Sequence, residues 1–160
     1  MKEHRYWDSS VFVALLNNEQ GRAPTVVSIL DQAEAGRIQL YTSALTITEV
    51  LKLKGKKPIG QDAQKKIVEL FQHEYIQVIG VDRWIAFDAQ QYVWENNVPP
   101  KDSIHVATAL KKKLPILETY DNDDLISKSG QLGNPPIVIR KPVELGSQPG
   151  LFDKENSKSF

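Results

Sequence analysis

Two kinds of apolar pattern alternate along the chain. Short runs at Tyr6-Trp7, Ile38-Leu40-Thr42, Ile76 to Val81, Ile116 to Thr119 and Ile137 to Ile139 have the length and spacing of strands. Longer stretches between them repeat apolar residues at helical intervals. The first runs from Ser9 to about Asn18. A second starts at Pro24-Thr25, carries Val26, Val27, Ile29, Leu30 and Ala33, and stops near Gly36. Ser43 to Leu51 reads as a third, with Leu45, Val50 and Leu53 on one face. Lys54 to Gly60 breaks it, and Gln61 to Gln72 follows with Ile67, Leu70 and Phe71 inward. Asp82 caps a long helix carrying Trp84, Ile85, Phe87, Ala89, Tyr92 and Val93. Asn96 to Pro100 stops it, Lys101 to Lys113 forms the next, and Asn122 to Ser127 a short helical turn. Strands separated by helices predict an α/β fold with a central parallel sheet of about five strands and helices on both faces.

Composition narrows the chemistry. The chain has 160 residues, enough for one domain with a substantial core. Residues 1–145 are expected to form it. From Gly146 to Phe160 the periodicity is lost, and a flexible tail is expected there. Basic and acidic residues balance at 20 each, so a nucleic-acid partner would need a local basic patch. There is no cysteine, which removes disulfides, thiolate metal sites and thiol nucleophiles, and fits a cytoplasmic protein. The longest apolar run, Val11 to Leu16, is far too short to span a membrane.

The remaining chemistry lies in carboxylates. Asp8 follows the first strand and by itself reads as an N-cap. Glu49 lies in an otherwise apolar helix, where Lys52 could pair with it. Asp102 suits the positive end of the helix that opens after Pro99-Pro100. Asp121 follows the Ile116 strand in an Asp-rich turn. Together they have a different meaning. A parallel α/β sheet brings all four points to the rim outside the carboxyl ends of its strands. Four carboxylates on one rim repel each other unless a cation sits among them, and hard oxygen donors select Mg²⁺ or Mn²⁺. None of His4, His73 and His105 has a histidine or cysteine at zinc-ligand spacing. His105, one turn after Asp102, is expected to be structural.

Four stretches carry a resemblance. Trp7-Asp8-Ser9-Ser10-Val11, Ile47-Thr48-Glu49-Val50, Lys101-Asp102-Ser103-Ile104-His105-Val106-Ala107-Thr108-Ala109 and Leu117-Glu118-Thr119-Tyr120-Asp121 resemble, in order and spacing, the successive motifs of PIN-domain ribonucleases. The similarity is greatest to the small VapC-like toxins of toxin–antitoxin pairs and runs from about residue 5 to residue 142. The Asp-x-x-His-x-Ala-x-Ala stretch with the later Thr-x-Asp is its most specific part.

This resemblance implies a PIN-like three-layer fold and a metal-dependent endoribonuclease that leaves 5′-phosphate and 3′-hydroxyl ends. Asp8, Glu49, Asp102 and Asp121 would be its catalytic, metal-holding quartet, with Mg²⁺ or Mn²⁺ as cofactor. Ser9 or Ser10 would orient a ligand or a water and take over the capping of the first helix. Thr119 would support the quartet, and Asp124 would substitute for or partner Asp121. Lys52, Lys54 and Lys56 are placed near the metal by Glu49 and are expected to contact RNA phosphates. The implied partners are an RNA substrate, a cognate antitoxin protein and a second copy in a homodimer. The rival reading is a non-catalytic PIN-like module that binds RNA or a protein. Haloacid-dehalogenase-like phosphatases are disfavoured because Ser10 stands where a second Asp is needed, and a receiver domain because its early acidic pair is missing.

Overall fold

A computed structural model describes residues 1–146 of the chain. Its elements are β1 (Glu3–Trp7), α1 (Ser9–Leu16), α2 (Ala23–Glu34), β2 (Ile38–Ser43), α3 (Ala44–Glu49), α4 (Gln64–Leu70), β3 (Ile76–Ile79), α5 (Arg83–Asn96), α6 (Pro100–Lys111), β4 (Ile116–Glu118) and β5 (Val138–Arg140). The five strands form one all-parallel sheet in the order β3-β2-β1-β4-β5. This is the α/β architecture that the alternating pattern predicts. Apart from Gly146, the expected tail lies outside the described residues.

Adjacent side chains of β1 point to opposite faces, as strand geometry requires. Trp7 packs with Phe12, Val26, Ile29 and Leu40 under α1 and α2. Tyr6 packs with Val106, Ala109, Leu117 and Ile139 under α6. Ile79, Ile85, Ala89 and Ala107 extend that second layer beneath α5. Burying side chains such as Leu117 or Ile29, both fully enclosed, stabilises the fold by roughly 1.5–3 kcal/mol each.

The helix ends follow local chemistry. Asp82 Oδ1 accepts from the Ile85 amide at 2.9 Å and starts α5, and Asn97 at φ 54° ends it. Pro100 in the first turn of α6 fits the fixed proline φ. Some boundaries differ from the sequence expectation. The segment from Gln61 to Gln72 divides into a 3₁₀ turn (Gln61–Ala63) and the shorter α4, with Ile67 buried and Leu70 and Phe71 half-buried. The β3 strand stops at Ile79, where its pairing with Ser43 ends. The turn after Asp121 becomes a 3₁₀ turn only at Ile126–Lys128. Most of the aromatic side of α5 is not core: Trp84, Phe87 and Trp94 are exposed, and the layer beneath takes Ile85 and Ala89 instead.

An unexpected polar hub ties the sheet together. Glu118 at the end of β4 is wholly buried. It accepts from Trp7 Nε1 at 2.9 Å, Arg5 Nη1 at 3.3 Å, Arg140 Nε at 3.2 Å and the Val143 amide at 3.1 Å. Arg5, 1% exposed, also donates to Glu3 at 2.8 Å. The hub thus joins β1, β4, β5 and the segment after β5, and fixes the strand end from which Thr119 and Asp121 emerge.

Candidate functional site

Four elements meet at the carboxyl edge of the sheet. Their cleft is lined by Asp8, Ser9 and Ser10 at the start of α1, Glu49 at the end of α3, Asp102 and His105 on α6, and Asp121 and Asp124 after β4. Lys52, Lys54 and Lys101 complete its rim. The cleft encloses about 660 Å³.

Asp8 lines the cleft and also caps a helix. Its Oδ1 accepts from the Ser10 amide at 3.1 Å, which makes Asp8 itself the N-cap of α1. The capping therefore does not pass to Ser9 or Ser10, because the extended backbone before α1 is that of Asp8. Ser10 Oγ donates to the same oxygen at 2.6 Å, and Thr119 Oγ1 donates to Oδ2 at 2.6 Å. Burial pushes the Asp8 carboxyl upward, against the opposing pull of His105 and of these hydrogen bonds. Thr119 Oγ1 also accepts from the Asp121 amide at 3.0 Å, and Ser10 Oγ from the Tyr120 amide at 2.9 Å. Two hydroxyls thereby lock the strand-end loop of Asp121 to the start of α1.

Asp121 Oδ1 accepts from the Asp124 amide at 2.9 Å, so the Asp-rich turn folds back on itself. That turn brings Asp124 to the cleft alongside Asp121. Among the described residues, Asp102, Asp121 and Asp124 form the group able to hold one metal ion, each offering an oxygen within 4.8 Å of the others. Burial, followed by the Asp121 and Asp8 carboxylates, pushes the Asp102 carboxyl up to about 7. That is the response of a buried acid with other acids beside it, and a divalent cation would relieve the repulsion. The donor set is all oxygen and fits a hard cation. Asp8 and Glu49 line the same cleft without belonging to this group of three.

Glu49 pairs with His105 rather than with Lys52. Its Oε1 accepts from Ser9 Oγ at 2.7 Å and lies 2.7 Å from His105 Nε2. Burial alone would raise the Glu49 carboxyl. The hydrogen bond and charge of His105, the Ser9 hydroxyl and Lys101 outweigh burial and lower it. Sequence reasoning missed this tie, although a signal existed: His105 lies one helical turn from Asp102 and so projects from the same side of α6. Lys101 was also missed; its place beside Asp102 in the first turn of α6 was the available hint. Lys56 is placed elsewhere, 3.1 Å from Glu19 in a second cleft with Arg22 and Lys57.

The molecule can be set beside known proteins at this point. No curated protein matches the sequence. The solved structures that share its fold include these three. The Mycobacterium tuberculosis toxin VapC20, which cleaves the sarcin–ricin loop, is 19% identical with a TM-score of 0.60 over 74% of this chain and 91% of that one. A toxin–antitoxin complex from Klebsiella pneumoniae is 21% identical with a TM-score of 0.60, covering 88% and 99% of the two chains. FitAcB from Neisseria gonorrhoeae is 16% identical with a TM-score of 0.55, covering 86% and 97%. The PIN domain family matches residues 5–129, from β1 past β4 and including every acid of the cleft. The chain belongs to the PIN-domain family.

Proposed function

We propose that this protein is a metal-dependent endoribonuclease and the toxin of a toxin–antitoxin pair. The observation that carries the reading is the gathering of Asp102, Asp121 and Asp124 at one point of a cleft that Asp8 and Glu49 also line. Asp102, Asp121 and Asp124 would hold Mg²⁺ or Mn²⁺, with Asp8 and Glu49 contributing from the cleft wall. When bound, such a cation polarises the scissile phosphate and acidifies water for in-line attack.

The protein's own groups do the rest. Ser10 and Thr119 hold the Asp8 carboxyl in place by donating to both of its oxygens, and so oppose the upward push of burial. Lys52, Lys54 and Lys101 line the same cleft and would take RNA phosphates there. The toxin reading draws on the fold shared with VapC20 and with the Klebsiella pneumoniae toxin–antitoxin complex. It adds a cognate antitoxin able to cover the cleft, a homodimer and a cytoplasmic location. Among the described residues, no helix is long and apolar enough to cross a membrane.

The test incubates the purified protein with single-stranded and structured RNA in Mn²⁺, in Mg²⁺ and in EDTA, beside Asp8→Asn and Asp102→Asn. Cleavage confined to wild type with metal is expected. Cleavage that survives EDTA or both substitutions sinks the nuclease reading, and RNA binding without cleavage moves the protein to the non-catalytic class. Growth arrest on expression in a bacterium, relieved by Asp102→Asn, tests the toxin assignment.

A further inference from the structure

His105 is 1% exposed in the middle of α6, yet both of its ring nitrogens are occupied. Nδ1 lies 2.6 Å from the phenolic oxygen of Tyr6, which is itself wholly buried on β1. Nε2 lies 2.7 Å from Glu49 Oε1 and 3.4 Å from Ser9 Oγ. The imidazole of α6 therefore links β1 to the end of α3. A carboxylate has no proton to give, so the bond between Nε2 and Glu49 requires the proton on the ring nitrogen. With Ser9 and His105 both on Oε1, the other Glu49 oxygen has no side-chain partner among the described residues.

We propose that His105, held in place by Tyr6, is a positioning residue that fixes the Glu49 carboxylate with its free oxygen turned to the acidic cleft. The inference rests on the metal-nuclease reading for its purpose, and on the hydrogen-bond chain alone for its geometry. The end of α3 explains the need. Glu49 is the last residue of a six-residue helix, and the chain then enters an irregular stretch that lasts until Gln61. Backbone alone holds such a side chain weakly, since a short helix has little cooperativity. An imidazole clamped inside the layer between β1 and α6 supplies a rigid anchor. Partners of this kind, bonded to a metal-holding group rather than to the metal, typically alter affinity or activity by 10- to 100-fold when removed.

The test uses the full chain. In the metal-free protein, long-range ¹H–¹⁵N correlations of the imidazoles should place a proton on His105 Nε2, and that signal should move in Glu49→Gln. A ring protonated only at Nδ1, or one indifferent to Glu49→Gln, overturns the proposal. Mn²⁺ titration and RNA cleavage then separate positioning from bulk stability. His105→Leu should weaken Mn²⁺ binding by about tenfold and lower kcat by a similar factor while KM for RNA holds. His105→Gln, whose amide nitrogen reaches the place of Nε2, should restore most of both. In a Glu49→Gln background, adding His105→Leu should change neither. Equal losses in the two backgrounds would mean a structural role only and overturn the proposal. If His105→Leu does not fold, Tyr6→Phe takes its place, with a shift of about threefold in the same direction; wild-type behaviour of Tyr6→Phe then counts against the chain. A wild type that binds Mn²⁺ but cuts no RNA defeats the nuclease reading alone, and the Mn²⁺ comparison still decides the role of His105. A wild type that does not bind Mn²⁺ defeats both.

Discussion

Burial of Asp102 beside other acids has a thermodynamic signature. An acid whose folded pKa of about 7 lies above its ordinary 3.8 binds its proton more tightly in the folded chain than in the unfolded one. Its contribution to stability is complete below the ordinary value and is lost as the pH rises to about 7. The metal-free protein should therefore lose denaturation free energy across that window, and Asp102→Asn should flatten the slope in urea titrations at a series of pH values. A cation competes with the same proton. At about pH 8, Mn²⁺ at roughly a hundred times its Kd should raise Tm by about 5–10 °C in a thermal scan. The rise should shrink at about pH 5, where the Asp102 proton must first be displaced. An equal rise at both pH values would remove Asp102 from the metal-binding group.

Between elements, the tie that matters most is Glu118. Leaving a buried charge without its partner costs about 3–5 kcal/mol. Arg5 would keep Glu3 at 2.8 Å, so Glu118→Gln should cost less, about 2 kcal/mol, as a lower urea midpoint with the same m-value. No sequence pattern exposes this hub. Arg5 and Glu118 are ordinary charged residues in the pattern, and only the pairing of β1 with β4 brings them together. The strands themselves were legible as short apolar or alternating stretches, such as Ile38-Leu40-Thr42, set between longer helical patterns. Asp8, Glu49, Asp102 and Asp121 were legible as a group because their elements end or begin at one rim. The division of labour among them was not. Asp8 caps α1, Glu49 is tied to Ser9 and His105, and Asp124 joins Asp102 and Asp121 through the backbone of a turn. Those are contacts between residues distant in the chain, or turn geometry, and neither follows from spacing.

At the scale of the molecule, balanced charge means that no long-range field draws RNA in. Attraction has to be local, and the cleft sets three lysines against five carboxylates. Without a cation the acids repel a phosphate chain, so RNA affinity should be metal-dependent even for variants that do not cut. Lys52→Ala combined with Lys54→Ala should flatten the dependence of log affinity on log salt by about 1.4 if each lysine meets one phosphate of a single strand. Filter binding or fluorescence anisotropy across a salt series measures it. An unchanged slope would place the RNA backbone elsewhere, with the second cleft of Arg22, Lys56 and Lys57 as the next surface to probe.

The contrast between Trp7 and the other two tryptophans has an optical consequence. Trp84 and Trp94 are 60% and 75% exposed, whereas Trp7 is fully enclosed, adjoins Asp8 in the chain and donates to Glu118. Replacing both exposed indoles with phenylalanine leaves a single emitter at the foot of the cleft. Its emission should be blue-shifted and shielded from iodide. Because it is joined to Asp8 by one peptide bond, its intensity or lifetime should change when a cation enters. Such a variant would read site occupancy directly, with neither label nor substrate.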